Sequence, residues 1–216
     1  MLTICRKGFL RRKKVINRSR WDECSQDELL ELFRILGSPW YSYESRQQIA
    51  EFIDEPKTTS NFPLKNYKKF TGPSEKLRSM TFGQWAFLER KMFDLNQDRS
   101  PKNIRSFLAC LYIQGKIFNS DLLPTLEPQF NNVSPEFINA SIRSWDAIRK
   151  WCYSLYPFVF PVSNNQQVGK AKAPEYVKIM RQMAGSVSDV EVEKIFNSNV
   201  HNILSALNDN LTPRKK

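Results

Sequence analysis

Apolar residues recur every three or four positions along most of this chain, and polar residues fill the positions between them. This spacing is typical of amphipathic helices that bury one face. Residues that cap the start of a helix precede six of the apolar stripes: Ser25 with Glu28, Ser42, Thr81 with Gln84, Ser100 with Pro101, Ser134 with Pro135, and Ser188 with Glu191. Glycine or proline follows the stripes and predicts where the helices end, at Gly37, Pro56, Gly115, Pro157 and Gly185.

The stripes predict an all-α protein, a compact bundle of roughly seven to eight short helices with a basic N-terminal arm and long irregular linkers. Trp85 and Trp145 fall on two of the stripes, so we expect both indoles in the core. No segment shows the clear alternation of apolar and polar residues that marks a half-buried β-strand. A sheet of several strands is therefore not expected, and a short β element near 158–162 is the one alternative.

The composition of the chain changes along its length and suggests five segments. Residues 55–79 interrupt the helical pattern with Pro56, Pro63, Gly72 and Pro73 in polar, lysine-rich sequence. Prolines and glycines spaced in this way predict a long loop or linker. We therefore predict a basic arm over 1–21, an N-terminal helical pair over 22–54, a linker over 55–79, a main helical domain over 80–209 and a basic tail over 210–216.

The formal net charge of +11 lies at the two ends of the chain. Residues 1–21 hold eight basic residues and no acidic one, and the last three residues are all basic. The other 22 basic residues balance the 22 acidic residues. A neutral body with cationic ends predicts that the ends bind phosphate, acidic lipid or an acidic protein surface.

The motifs that carry common enzyme chemistry are missing from the sequence. None of the 7 glycines lies in the spacing of a phosphate-binding loop, and no nucleophile elbow surrounds a serine. The 4 cysteines form no CxxC pair, and His201 is the one histidine, so the sequence holds no usual zinc ligand set. We therefore predict a non-enzymatic protein without a cofactor or a metal. The alternative is a small enzyme whose site follows no known motif.

Three groups of residues are candidate contact sites. The basic arm can neutralise phosphates of nucleic acid or dock on an acidic protein surface, and the apolar residues between its charges argue against a purely solubilising role. A lysine-rich stretch around Tyr67 and Phe70 adds aromatic rings on which bases can stack. The cationic candidates are Arg6, Lys7, Arg11, Arg12, Lys13, Lys14, Arg18, Arg20, Lys65, Lys68 and Lys69. The candidate protein interface is the aromatic run Tyr156, Phe158 and Phe160.

Two longer stretches carry a family resemblance. The segment 80–89 reads MTFGQWAFLE and leads into a helix with the sequence NIRSFLACLYI at 103–113. Near the C-terminus, MRQMAG at 180–185 leads into the apolar stripe of 192–207. These stretches resemble the helix starts and closing helices of small virion-associated and tail-assembly proteins of tailed bacteriophages. The resemblance covers residues 80–207 and implies a protein that folds or positions other virion proteins through helix-on-helix contacts, without catalysis.

We therefore expect a phage virion structural or assembly protein, either a head–tail (neck) component or a tail-assembly factor. Its helical body would contact other virion or assembly proteins and form a homo-oligomer, and its cationic ends would reach a neighbouring subunit or packaged DNA. The alternative is a nucleic-acid-binding protein that uses the basic N-terminal arm. No apolar run approaches the length of a transmembrane helix and no secretory signal is recognised, so we expect the host cytoplasm or the virion and no membrane partner.

Overall fold

The computed structural model describes residues 2–5, 13–115, 117–161, 175–185 and 189–213. These residues are mostly helical, which confirms the all-α prediction. They form nine α-helices, one of which is a single turn. The helices are α1 Gln26–Leu36, α2 Tyr43–Asp54, α3 Phe82–Gln97, α4 Pro101–Leu111, α5 Leu123–Leu126, α6 Pro135–Leu155, α7 Tyr176–Ala184, α8 Asp189–Asn197 and α9 Val200–Leu211.

Two small antiparallel hairpins accompany the helices, and the sequence pattern did not predict them. Strands of two to four residues are too short for an alternating pattern to be recognised. The hairpins pair β1 (Leu2–Cys5) with β2 (Lys13–Ile16), and β3 (Asn66–Tyr67) with β4 (Phe70–Thr71).

The first hairpin corrects the prediction of a separate arm over 1–21. β1 lies beside α2, and the side chain of Ile16 at the end of β2 is buried. Trp21 is also fully buried. The C-terminal part of the predicted arm is therefore built into the fold, because the side chains of Ile16 and Trp21 are covered by the rest of the chain.

The chain folds into two compact units, and each unit is made of two stretches of sequence. Unit 1 contains residues 1–65 and 132–151, and unit 2 contains residues 66–131 and 152–216. The first change of unit lies within the predicted linker. The predicted main domain over 80–209 is divided, because residues 132–151 pack with the N-terminal stretch.

In unit 1, the carboxyl end of α2 is closed by a side chain from α6. Arg143 donates from Nε and Nη2 to the carbonyl oxygen of Ile53, at 3.1 and 2.9 Å. Its Nη2 also lies 2.9 Å from the carbonyl oxygen of Asp54 and 3.1 Å from that of Pro56. Burial lowers the pKa of the Arg143 guanidinium. One charged side chain thus satisfies carbonyl groups that the end of a helix leaves without an intrahelical partner.

The same guanidinium covers the indole of Trp21. Its carbon lies 5.0 Å from the ring centroid, within the range of a cation–π contact. Trp21 Nε1 in turn donates to the carbonyl oxygen of Pro56 at 3.1 Å. The guanidinium of Arg143, a residue of α6, therefore contacts both the end of α2 and the indole of Trp21.

The predicted linker over 55–79 is folded into the two units. In unit 1, the hydroxyl of Thr59 donates to Asp22 Oδ2 at 2.6 Å, and the amide of Asn61 donates to the carbonyl oxygen of Asp22 at 2.6 Å. Four apolar side chains of the segment are at most 1% exposed, and these are Phe62, Leu64, Phe70 and Leu77. The sequence analysis predicted a linker because these four apolar residues follow neither a helical nor a strand period, although each of them is buried.

In unit 2, the starts of α3 and α9 are joined by backbone hydrogen bonds. The N–H of Phe82 donates to the carbonyl oxygen of Ser198 at 2.8 Å, and the N–H of Val200 donates to that of Met80 at 3.0 Å. Thr81 caps α3 as predicted, by accepting from the N–H of Gln84 at 3.1 Å. Gln84 does not complete the predicted capping box, because its buried amide donates instead to the carbonyl oxygen of Cys110 in α4 at 3.0 Å.

Gly83 lets α8 approach the first turn of α3. A Cβ atom at this position would lie 2.5 Å from ring atoms of Phe196, the aromatic residue near the end of α8. The Phe196 ring also contacts two other rings, with its centroid 6.1 Å from that of Phe87 and 6.2 Å from that of Phe118, so a shift of the ring would disturb these contacts. The contact between α3 and α8 therefore depends on the absence of a side chain at position 83.

We predict that Arg143→Met lowers the free energy of unfolding by about 2 kcal/mol, because it leaves partly buried carbonyl groups without this donor and removes the cation–π contact. Lys150→Met on the same helix is the matched control. It removes an ion pair with Asp146 from a half-exposed side chain and should cost less than about 1 kcal/mol. Urea-induced unfolding followed by tryptophan fluorescence measures both. Equal losses in the two variants would contradict the role of Arg143.

We also predict that Gly83→Ala lowers the melting temperature, with a loss of about 1–3 kcal/mol from overpacking against Phe196. Gly37→Ala is the control, since a Cβ there would meet its nearest atoms at the ordinary distances of 3.8 and 3.9 Å. Gly37 has a φ of −80°, which alanine adopts readily. Thermal unfolding by circular dichroism should separate the two variants, and a Gly83→Ala protein as stable as the Gly37→Ala protein would refute the close approach.

Candidate functional site

The predicted cationic contact residues are in different structural situations. Arg6, Lys7, Arg11 and Arg12 lie outside the described residues. Lys13 and Lys14 belong to β2, and the register pairs them with Cys5 and Ile4 of β1. The remaining candidates can be compared by the partners of their charged groups.

Arg18 and Arg20 already have acidic partners within unit 1. Arg20 donates from Nε and Nη2 to the two carboxylate oxygens of Asp22, at 3.0 and 2.9 Å. Arg18 Nε lies 3.4 Å from Glu28 Oε2. The hydrogen bond to Asp22 raises the pKa of Arg20. These two guanidinium groups are therefore less available to phosphate than their place in the sequence suggested.

The lysine-rich stretch presents charge but little free aromatic surface. Lys65 is the last residue of the first stretch of unit 1, while Lys68 and Lys69 form the exposed turn between β3 and β4 in unit 2. Phe70 is 1% exposed. Tyr67 stacks on Phe130 with the ring centroids 5.3 Å apart. Both rings therefore pack within unit 2, Phe70 fully and the half-buried Tyr67 in part, and the predicted base-stacking role stays a prediction.

The aromatic run at 156–160 points partly into unit 2 and partly to solvent. Phe160 stacks on Tyr153 with a centroid distance of 4.2 Å, and Tyr156 is half-buried with its hydroxyl 2.6 Å from His201 Nδ1. Phe158 is 44% exposed, and its N–H donates to the side-chain oxygen of Asn208 in α9. Of the three predicted interface residues, Phe158 is the one with a largely accessible ring.

His201 serves as a hydrogen-bonding bridge in unit 2. Its Nε2 lies 2.7 Å from the carbonyl oxygen of Lys76, which can only accept, so Nε2 carries the proton. Nδ1 forms the second hydrogen bond, with the hydroxyl of Tyr156. The bridge joins the residues before α3 to the turn after α6 through the first turn of α9.

A buried carboxylate and a tyrosine form a second polar contact, which the sequence reading missed. Glu89 of α3 is 4% exposed and accepts a short hydrogen bond from the hydroxyl of Tyr153. The rings of Trp85 and Phe160 flank Tyr153, with centroids 6.1 and 4.2 Å away. A signal was present, because Glu89 follows Trp85 by four residues and so lies on the apolar face of the helix.

Burial suppresses the nucleophilic chemistry of three cysteines. It raises the pKa values of the Cys24, Cys110 and Cys152 thiols to about 12, and each side chain is buried. No group of three or more His, Cys, Asp and Glu residues able to hold a metal ion occurs among the described residues. No helix in that part of the chain is long and apolar enough to cross a membrane.

We predict that a Cys5→Ser variant shows almost no reaction with a thiol reagent at pH 8 in the folded state. A thiol with a pKa of about 12 has roughly one ten-thousandth of its molecules as thiolate at that pH, and the reagent also needs access. Absorbance of released thionitrobenzoate should report the three remaining thiols after unfolding in guanidinium chloride. Rapid labelling of the folded variant would show that one of these sites is open.

No protein-family model matches this chain, and neither a curated protein nor a solved structure matches it.

Proposed function

We propose that this protein is a non-enzymatic structural or assembly protein of a tailed phage, either a head–tail component or a tail-assembly factor. Exposed aromatic residues that would serve protein contacts are the observation that carries the proposal. Trp40, which precedes α2 in unit 1, is 68% exposed, and Tyr43, the first residue of α2, is 67% exposed. Tryptophan and tyrosine are enriched among the residues on which protein interfaces depend, so two of them exposed within four residues favour a contact surface.

The segment that carries the phage resemblance is used for packing, as expected of a structural protein. In the run 81–85, Thr81 caps α3, Gly83 admits Phe196, and Gln84 bonds to α4. Trp85 is fully buried. The conspicuous residues of this motif therefore have structural roles, which supports a protein that acts through its surface.

A second candidate function is nucleic-acid binding through the N-terminal hairpin. The pairing of β1 with β2 brings together the ends of the sequence 6–12, which includes Arg6, Lys7, Arg11 and Arg12. Closely spaced cations release counterions when they bind phosphates. Removal of residues 1–20 would be a poor test, because Ile16 is buried in unit 1. Replacement of these four cations by glutamine keeps the strands.

We predict that the full-length protein forms a discrete oligomer and that Trp40→Ser with Tyr43→Ser lowers its mass toward the 25.4 kDa monomer. Burial of the two rings between copies would supply the association energy, which the serines remove. Size-exclusion chromatography with light scattering measures the mass. Val190→Ser is the control, since Val190 is 62% exposed on α8 and apolar.

A wild-type protein that elutes as a monomer without DNA, and shifts only when duplex DNA is added, would overturn the assembly proposal in favour of nucleic-acid binding. An oligomer that survives the double substitution would place the interface elsewhere and contradict the role of Trp40 and Tyr43. Circular dichroism spectra of the variants should match that of the wild type, which would show that a lower mass does not result from unfolding.

A further inference from the structure

Unit 2 exposes apolar side chains beside the end of α9. The N–H of the exposed Phe158 donates to the side-chain oxygen of Asn208 at 3.0 Å, so this ring lies next to the last turn of α9. Leu211 is also exposed, and it follows Asn208 by three residues, which places both on one face of the helix. Leu155, the exposed last residue of α6, precedes Phe158 by three residues. Leu155, Phe158 and Leu211 are here called the α9 surface.

An acidic side chain borders the α9 surface. Asp209 lies between Asn208 and Leu211 in the last turn of α9. It is exposed and forms no ion pair with another described residue. The last turn of α9 contains no basic residue that would balance this charge. The end of α9 therefore presents apolar groups together with a carboxylate.

The exposed aromatic residues of unit 1 lie beside a cation that lacks a partner. Tyr43 and Arg46 are three residues apart on α2 and so share a face of the helix. Among the described residues, Arg46 is the one cation with a buried nitrogen, Nε, that has no hydrogen-bond acceptor. Glu44 lies in the first turn of α2, where the helix dipole stabilises an acid. Because a guanidinium pairs well with a carboxylate, a molecule that covers this face is expected to bring one.

We propose that the α9 surface of one copy of this protein binds Trp40 and Tyr43 of a second copy, with Asp209 accepting from Arg46. This contact rests on the assembly role proposed above, in which Trp40 and Tyr43 lie between copies, and it identifies the surface that they meet. The two surfaces match in chemistry, because apolar groups would cover the aromatic rings and the charges at their borders are opposite.

The charges favour a contact between two different surfaces over a contact of like surfaces. If the aromatic surface bound the same surface of a second copy, a two-fold axis would bring Arg46 close to its own counterpart. Like charges in an interface are unfavourable, and the α9 surface would stay in water. A contact of α9 with the aromatic surface is heterologous, so each end of the resulting pair keeps one free surface that can bind a further copy.

The test mixes two variants of the full-length chain. Variant A carries Trp40→Ser and Tyr43→Ser, and variant B carries Phe158→Ser and Leu211→Ser. Each variant keeps one surface and loses the other, so each alone should have a mass near the 25.4 kDa of the monomer. Their equimolar mixture should form a complex of twice this mass, because the α9 surface of A can bind the aromatic surface of B.

Size-exclusion chromatography with light scattering measures the masses at about 10 to 300 µM protein, since interfaces of few residues are weak. The matched control for variant B combines Ile117→Ser with Val190→Ser. These substitutions also remove two exposed apolar side chains from unit 2, and the control should keep the mass of the wild type.

We expect variant B to raise the dissociation constant of the wild-type oligomer at least about tenfold, as loss of interface anchors does. A variant B with the mass of the wild type would overturn the role of the α9 surface and leave the assembly proposal in place. Variants A and B that stay monomeric in the mixture would overturn the heterologous contact. A monomeric wild type would overturn both this contact and the oligomer on which it rests.

Exchange of the two charges is a separate test of the ion pair. Arg46→Glu and Asp209→Arg should each raise the dissociation constant at least about fivefold in about 50 mM NaCl, because each places like charges together. The variant with both substitutions should return to within about twofold of the wild type, since the pair is restored with its signs exchanged. Single variants without effect, or a double variant weaker than either single variant, would contradict the pairing of Asp209 with Arg46.

Discussion

The guanidinium of Arg143 is the interaction on which unit 1 depends. It lies 87 to 90 residues along the chain from the carbonyl groups that it binds, at Ile53, Asp54 and Pro56. A helix end needs donors for its last carbonyls, and a buried end without them is costly. Here the donor comes from another helix, so the end of α2 is complete only when residues 132–151 have joined the N-terminal stretch. This long-range contact is one of those that join the two stretches of unit 1.

The irregular residues around this group are ordered for the same reason. Trp21 bonds to Pro56 and stacks below the guanidinium, and Asp22 receives Thr59 and Asn61. A segment without helix or strand can hold one conformation when its polar groups have partners and its apolar groups are covered. The sequence predicted an irregular linker here because it shows the prolines and lysines of this segment. It does not show which residues cover Phe62 and Leu64.

In unit 2, the groups that usually suggest chemistry take part in packing or hydrogen bonding. His201 bridges Tyr156 and Lys76, Glu89 accepts from Tyr153, and the Cys110 thiol is buried in α4. Of the three predicted interface aromatics, Tyr156 bonds to His201 and Phe160 stacks on Tyr153, whereas Phe158 is exposed. In unit 1, two of the predicted cationic contact residues form ion pairs. Arg18 and Arg20 are paired with Glu28 and Asp22, which leaves them less available to phosphate.

The sequence by itself determined the helices, because capping and periodicity act within a few residues. Ser25 and Glu28 cap α1 as predicted, and Ser100 and Pro101 open α4. Helix propensity, capping residues and the spacing of apolar residues depend on neighbouring residues only, so they can be read from the sequence. Only the tertiary structure decided the division into two units, the role of Arg143, the close approach at Gly83 and the pairing of Arg18 with Glu28. Each of these depends on which distant residue comes within a few ångströms, and no local pattern contains that information.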